Sequence, residues 1–243
     1  MNELKYISQF KKYLDNYQPS PDALKVLAET RLSLLVAPSS SGRNTIIREL
    51  EKKGGYRFII SDTTRKPRVN DGVLEKDGRE YWFRTEEEIL EDVKNGEFLE
   101  AAIIHNQQVS GTSIRELAKA CAEDKLAVAD VEVVGAANIH RAKPDTHIIF
   151  VLPPNFPVWI ERLHHRGALP EDEVRRRLES AVEEFEAALE HDYFIFVVND
   201  ELHEAVERVH TIASRGSLDE GEQERGREIV AALLKDTRAY LSA

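Results

Sequence analysis

Three clusters in this 243-residue chain combine residue types and spacings that could hold an anion. The first is Pro38-Ser39-Ser40-Ser41-Gly42-Arg43-Asn44-Thr45, small and hydroxyl residues whose backbone N–H groups can face a phosphate. The second runs from Asp62 to Arg68. There Arg65 and Arg68, three apart, are bracketed by Ser and Thr hydroxyls and stiffened by Pro67, which makes a fixed set of donors for a dianion. The third comprises Arg162, Arg166, Arg175, Arg176 and Arg177, interleaved with acids. It reads equally as a salt-bridged surface and as a basic lid over phosphates.

Acids supply the complementary chemistry. Asp130 and Glu132 lie two apart in the apolar run Leu126 to Val134, on one face of a strand, and are costly there unless they meet a cation or donors. A strand-end acid beside a phosphate loop suits a Mg²⁺ contact. Glu100, flanked by apolar residues, is either edge-exposed or held for a ligand.

The elements that must position these groups follow from periodicity. Leu32 to Val36 reads as a buried strand, Ala37 to Gly42 as a turn, and Ile46, Ile47 and Leu50 as a helix stopped at Gly54-Gly55. Strand, loop and helix form the layout of a phosphate-binding loop, though ordinary α/β proteins use it too. Further strands are expected at Tyr56–Ser61, Phe98–Ile104, His147–Leu152 and Tyr193–Val198. Helices are expected at Glu86–Lys94, opening at Ser110-Gly-Thr-Ser113 with Thr112 or Ser113 as cap, around Ile160, from Glu171 to Leu189, and beyond Leu202. Tyr6, Phe10, Tyr13, Leu14 and Tyr17 make an aromatic stripe at the start, read as a face packed on the same domain, with a dimer contact as the alternative. Residues 214–226 read as a flexible linker before a last amphipathic helix.

Composition excludes several classes. The net charge of −11 opposes non-specific attraction to nucleic acid or to a membrane surface. With no apolar run of spanning length and no signal-peptide core, a cytoplasmic location is expected. Cys121, the one cysteine, excludes an internal disulfide and reads as a small core residue.

The order of motifs resembles the guanylate kinase family over residues about 31–210. Those motifs are Pro38-Ser39 with Gly42; Ser61-x-Thr63-Thr64-Arg65-x-Pro67-Arg68; Glu75 with Gly78 and Tyr81; Gly96-x-Phe98-Leu99-Glu100; and Gly111-Thr112. Asp130-x-Glu132, Arg162 with Arg166-Gly167, Arg177-Leu178, and Val198-Asn199-Asp200 complete the set. The resemblance implies an α/β fold: a P-loop NTPase-type parallel-sheet core with an inserted GMP-binding subdomain at about 61–113 and a helical lid at about 160–180. Helical appendages would occupy residues 1–30 and 227–243, the expected places for a homodimer or partner-protein contact.

Mapped by that resemblance, Ser61, Arg65, Arg68 and Tyr81 would bind the phosphate of GMP, with Glu75 supporting the arginines and Ser110 standing where the family carries Tyr. Glu100, Thr112 and Glu132 would read the guanine edge, Glu132 in place of Asp. Residues Pro38 to Thr45 would bind ATP. Asn44 and Asp130 would meet its Mg²⁺, and Arg43, Arg162, Arg166 and Arg177 would act on the transferred phosphate. The donor loop departs most: Ala37 and Ser40 replace glycines, Arg43 replaces Lys, and Asn44 replaces a hydroxyl residue. A divergent guanylate kinase, slow or silent, is therefore expected. The alternatives are a module that binds GMP or a phosphorylated peptide without turnover, and a kinase for another small phosphate ester.

Overall fold

A computed structural model describes residues 4–70, 72–104, 106–165, 170–216 and 219–242. The chain begins with α1 (Ile7–Leu14), α2 (Pro21–Glu29), β1 (Leu32–Val36), α3 (Arg43–Lys53), β2 (Tyr56–Phe58) and β3 (Asp62–Thr63). It continues through β4 (Val69–Asn70), β5 (Val73–Leu74), β6 (Trp82–Phe83), α4 (Glu86–Asn95), β7 (Phe98–Ile104), β8 (Gln108–Ser113) and α5 (Ile114–Ala122). Then follow β9 (Leu126–Asp130), α6 (Val133–Ala142), β10 (His147–Leu152), α7 (Phe156–His165), α8 (Glu171–Glu190), β11 (Phe194–Val198), α9 (Leu202–Arg215) and α10 (Glu220–Ser242). No described helix is long and apolar enough to cross a membrane.

The chain divides into two compact units. The first comprises Met1–Arg31, Arg57–Ala129 and Ala137–Pro144; the second comprises Leu32–Tyr56, Asp130–Ala136 and Asp145–Ala243. The second unit is built on parallel strands β1, β10 and β11, with Leu35 opposite Ile149 and Ile149 opposite Ile195. Both faces of β10 are buried, which is why His147 to Leu152 reads as a continuous apolar run rather than an alternating one. Helix α10 packs along α8 and also touches α7 and β11.

In the first unit a four-stranded sheet has the order β6-β3-β8-β7, β8 being antiparallel to both β3 and β7. Helix α4 starts with a capping box, Thr85 and Glu88 each bonding the other's backbone N–H. A core of Phe10, Ile89, Leu90, Val93, Phe98 and Val109 joins α1 to α4 and the sheet. The stripe thus faces its own unit through Tyr6, Phe10, Leu14 and Tyr17, while Tyr13 is exposed. Tyr17 Oη donates to the Phe98 carbonyl at 2.8 Å and accepts from the Phe98 N–H at 2.9 Å, and burial pushes its phenol up to about 12.

Four sequence expectations require correction. Residues 110–113 belong to β8, because Gly111 sits against Glu100 and Ala101 with no room for a Cβ, and Ser113 starts α5 without a side-chain cap. Strand β9 ends at Asp130, so Glu132 is not its neighbour on a strand face but exposed in the loop before α6. Cys121 is exposed: Ile114, Leu117 and Ala120 form the buried stripe of α5 instead. The expected linker is helical from Glu220 onward, where Glu220 and Glu222 suit a helix N-terminus and Gly226 lets α10 approach Phe196. A Cβ at Gly226 would stand 2.3 Å from Phe196 Cβ.

Candidate functional site

The loop after β1 belongs to the second unit, and its shape is held from behind. Trp159, fully buried on α7, donates from Nε1 to the Ser39 carbonyl at 2.8 Å. Asn199, just past β11, donates from Nδ2 to the Ser41 carbonyl at 2.7 Å, while its own carbonyl accepts from Arg162 at 2.9 Å. Arg177 donates to Ser39 Oγ at 3.1 Å and to Glu173 at 2.9 Å. These bonds explain Gly42. It has φ +93°, and a Cβ there would lie 2.1 Å from Asn199 Nδ2.

Ser40 also has a positive φ, 66°, without being glycine, whereas Ala37 is not among the residues with positive φ. The strain therefore resides at Ser40. The Ser40 and Ser41 hydroxyl oxygens are buried without a hydrogen-bond partner among the described residues. Gly42 leaves α3 without a side-chain cap, so the loop combines orphan donors with the positive end of a helix. Such a site favours an anion.

Arg43 does not extend freely. Its Nη2 pairs with Asp130 Oδ2 at 3.1 Å and its Nη1 lies 3.4 Å from the Val131 carbonyl, the Arg43 and Asp130 side chains each being about a fifth exposed. Asn44 and Thr45 are exposed on the first turn of α3. The residues expected to handle phosphate and metal on the donor side thus hold each other. Carboxylate and amide oxygens are the ligand class Mg²⁺ takes, and a nucleotide-borne Mg²⁺ needs only one or two from the protein. Asp130 and Asn44 fit that requirement. Arg175 and Arg176 pair with Glu179, Asp172 and Glu173 on the surface of α8, so the arginine cluster divides: Arg177 reaches the loop and the other two do not. Arg166 lies outside the described residues.

In the first unit, Arg65 makes a two-pronged pair with Glu75, at 2.5 and 2.9 Å, and Glu75 also accepts the Arg68 N–H at 2.9 Å. Burial alone would lower the Arg65 guanidinium, but the Glu75 carboxylate more than offsets it and the net shift is upward. The guanidinium lies 4.7 Å from the Tyr81 ring centre, which fixes its plane. Beneath this cluster Asp62, completely buried, accepts from Arg115 at 2.8 Å and pairs with Arg84, anchoring β3 between Ser61 and Arg65. Ser61 and Tyr81 are half-buried and Arg68 is exposed. Ser110 donates from Oγ to Thr63 Oγ1 at 2.8 Å, so its hydroxyl proton is already engaged.

Glu100 and Thr112 face each other across β7 and β8. Both the N–H and the hydroxyl of Thr112 donate to Glu100 Oε1, at 3.0 and 2.7 Å. Glu100 thus lies on an edge strand, half-buried, with one carboxylate oxygen fixed by Thr112.

Two residues that brace the loop were not identified as site residues from sequence. Asn199 lies in a recognised motif but carried no assigned role. Trp159 resembles any core aromatic of an amphipathic helix and gave no signal. Glu184 reads as one acid among many in α8, although it falls three residues after the core position Ala181. Its Oε2 is buried without a hydrogen-bond partner among the described residues. Burial, then the charge of Glu132, push its carboxyl up to about 8 against the pull of Arg43.

Comparison with known proteins identifies the family. The family model for guanylate kinase matches residues 29–215. A guanylate kinase of Corynebacterium efficiens is 38% identical over 184 residues, covering 75% of this chain and 94% of the relative. One from Thermotoga maritima is 38% identical over 183 residues, covering 75% and 85%. The crystal structure of guanylate kinase from Anaplasma phagocytophilum superposes with a TM-score of 0.54 at 25% identity, over 82% of this chain and 92% of that one. The chain belongs to the guanylate kinase family.

Proposed function

We propose that the chain transfers the γ-phosphoryl group of ATP to GMP, giving ADP and GDP, and does so slowly. The observation that carries this reading is the loop at 37–42: two buried, partnerless hydroxyls stand before an uncapped helix N-terminus in a shape braced by Trp159, Asn199 and Arg177. Loop N–H groups and the serine hydroxyls would take the donor phosphates. Mg²⁺ held by Asp130 and Asn44 would neutralise charge on the β- and γ-phosphates.

On the acceptor side Arg65, Arg68, Ser61 and Tyr81 would hold the GMP phosphate, with Glu75 keeping both arginines in place. Glu100, oriented by Thr112, would accept from the N1–H and exocyclic amine of guanine, with Glu132 as a second acid. Arg162, Arg166 and Arg177 would draw charge from the transferring group. Phosphoryl transfer depends on positioning and charge, with little covalent help from the protein. The Arg43–Asp130 pair therefore supports slow turnover, since both partners must separate before they serve the nucleotide. It equally favours a second reading, a module that binds GMP without transfer.

ADP release from ATP and Mg²⁺, with and without GMP, tests both. GMP-dependent release is expected, lowered at least ~100-fold by Arg65→Ala, which removes a charge-assisted bidentate contact. Arg43→Lys is expected to raise it about tenfold, because a compact ammonium fits between phosphates better than a planar guanidinium. GMP binding through Arg65 with no release would leave the binding module.

A further inference from the structure

The family match ends at residue 215, and helix α10 begins beyond it at Glu220. It buries Val230, Leu233, Leu234 and Thr237 and packs along α8 and β11, which is enough to hold an amphipathic helix in place. Its last turn does something more. The ring of Tyr240 lies 5.8 Å, centre to centre, from that of Phe156 at the start of α7. Phe156 meets Trp159 edge-on at 6.0 Å, and Trp159 Nε1 holds the Ser39 carbonyl at 2.8 Å. The Tyr240 hydroxyl also donates to Glu171 Oε1 at 3.0 Å, in the first turn of α8, where the Leu241 carbonyl accepts from Arg175 at 2.6 Å. Further along α8, Arg177 donates to Ser39 Oγ at 3.1 Å.

Two routes thus lead from one side chain to one residue of the loop, the first through packed rings and the second along a helix. Both are stiff: aromatic pairs prefer a narrow set of geometries, and packed interiors transmit small displacements. An anion site built from backbone N–H groups depends on their aim to within ~0.5 Å, so a brace on Ser39 matters to it. We propose that Tyr240 is a positioning residue for the donor loop, holding α7 and the start of α8 where Trp159 and Arg177 meet Ser39. This rests on the reading of that loop as the donor-phosphate site. Tyr240 touches no nucleotide; it acts through Phe156 and Glu171. The opposite end of α10 supplies the contrast, because Arg227 donates to the Leu189 carbonyl at 2.9 Å and pairs with Asp192 at 3.0 Å, beyond the end of α8 that carries Arg177.

Three variants of the full chain test the assignment: Tyr240→Ala, Tyr240→Phe and Arg227→Ala. Mg·ATP affinity is read by calorimetry, KM for GMP by ADP release, and the loop itself by amide hydrogen exchange over residues 37–42 without nucleotide. Tyr240→Ala is expected to weaken Mg·ATP about tenfold, the combined scale of one aromatic pair and one hydrogen bond, and to leave KM for GMP unchanged. Exchange in the loop should quicken. Tyr240→Phe keeps the ring against Phe156 and should bring Mg·ATP affinity back to within about threefold of the unaltered chain. Arg227→Ala loosens the other end of α10; it should lower the melting temperature yet change Mg·ATP affinity by less than about twofold. Equal losses of Mg·ATP affinity in Tyr240→Ala and Arg227→Ala, or no change in affinity and loop exchange in Tyr240→Ala, would overturn the assignment and leave the kinase reading intact. An unaltered chain that binds no Mg·ATP would remove the kinase reading and the donor role with it, whereas loop exchange quickened by Tyr240→Ala alone would still support the brace.

Discussion

The arginine cluster in the first unit and the loop before Gly42 in the second are held in different ways. Around Arg65 the side chains are pre-assembled: a bidentate Arg65–Glu75 pair, an Arg68 N–H on the same carboxylate, and an aromatic ring under the guanidinium. Around Gly42 the loop wraps a helix N-terminus because Trp159, Asn199 and Arg177 fasten it through two carbonyls and one hydroxyl. A loop can therefore owe its shape to residues behind it rather than to its own side chains. Chemistry is legible in sequence; bracing is not.

The sharpest way to break this contrast is Gly42→Ala. An added Cβ meets Asn199 Nδ2 in a backbone conformation that costs a non-glycine residue roughly 1–2 kcal/mol. Losing the Asn199 bond to Ser41 adds about 1 kcal/mol. Calorimetry should show ATP binding weakened by about two orders of magnitude, with GMP binding unchanged. A comparable loss in GMP binding would mean that the two regions do not fail independently.

Tyr17→Phe is the mirror experiment in the first unit. It strips a two-way bond from Phe98 at the start of the strand that carries Glu100. Urea unfolding should show a loss of about 1–2 kcal/mol, with GMP affinity reduced and ATP affinity retained.

Ser40→Gly should go the other way. Relieving φ 66° is worth about 1 kcal/mol of stability, provided the added chain entropy of glycine does not cancel it. The same substitution removes a buried partnerless hydroxyl, so ATP affinity separates the two roles. A gain in melting temperature with weaker ATP binding would show that the hydroxyl serves the ligand and that its strain is retained for that reason.

The remaining effect is a slope. Glu184 has a carboxyl raised from its ordinary 4.5 to about 8, so the folded chain binds a proton that the unfolded chain releases across that window. Stability should fall as pH rises from about 4.5 to about 8 and level off above. Glu184→Gln should flatten that limb in thermal melts. An unchanged slope would assign the acid to solvent.

Much of the fold was legible because it rests on periodicity. The strand, loop and helix at 32–53, the burial of His147–Leu152 and the stop of α4 at Gly96 follow from local patterns. What local pattern missed was decided elsewhere. Residues 110–113 look like a helix start, yet pair as a strand because β3 and β7 are there to pair with. Gly and acids at 220–226 look like a linker, yet fold where β11 offers a surface for Gly226. Cys121 and Glu132 were misplaced by extending a buried stripe or a strand past its end. In the site, side chains of distinctive type stood out, whereas Trp159 is an ordinary core residue made important by the Ser39 carbonyl it meets.

Trp159 also gives the loop a voice. The chain has two tryptophans, Trp82 in the first unit and Trp159 in the second. An indole buried without solvent contact, with its N–H on a carbonyl of the loop, changes its emission when that carbonyl moves. With Trp82 replaced by Phe, the remaining fluorescence reports on the backbone at Ser39 alone. The arrival of a nucleotide can then be followed in real time without any attached dye.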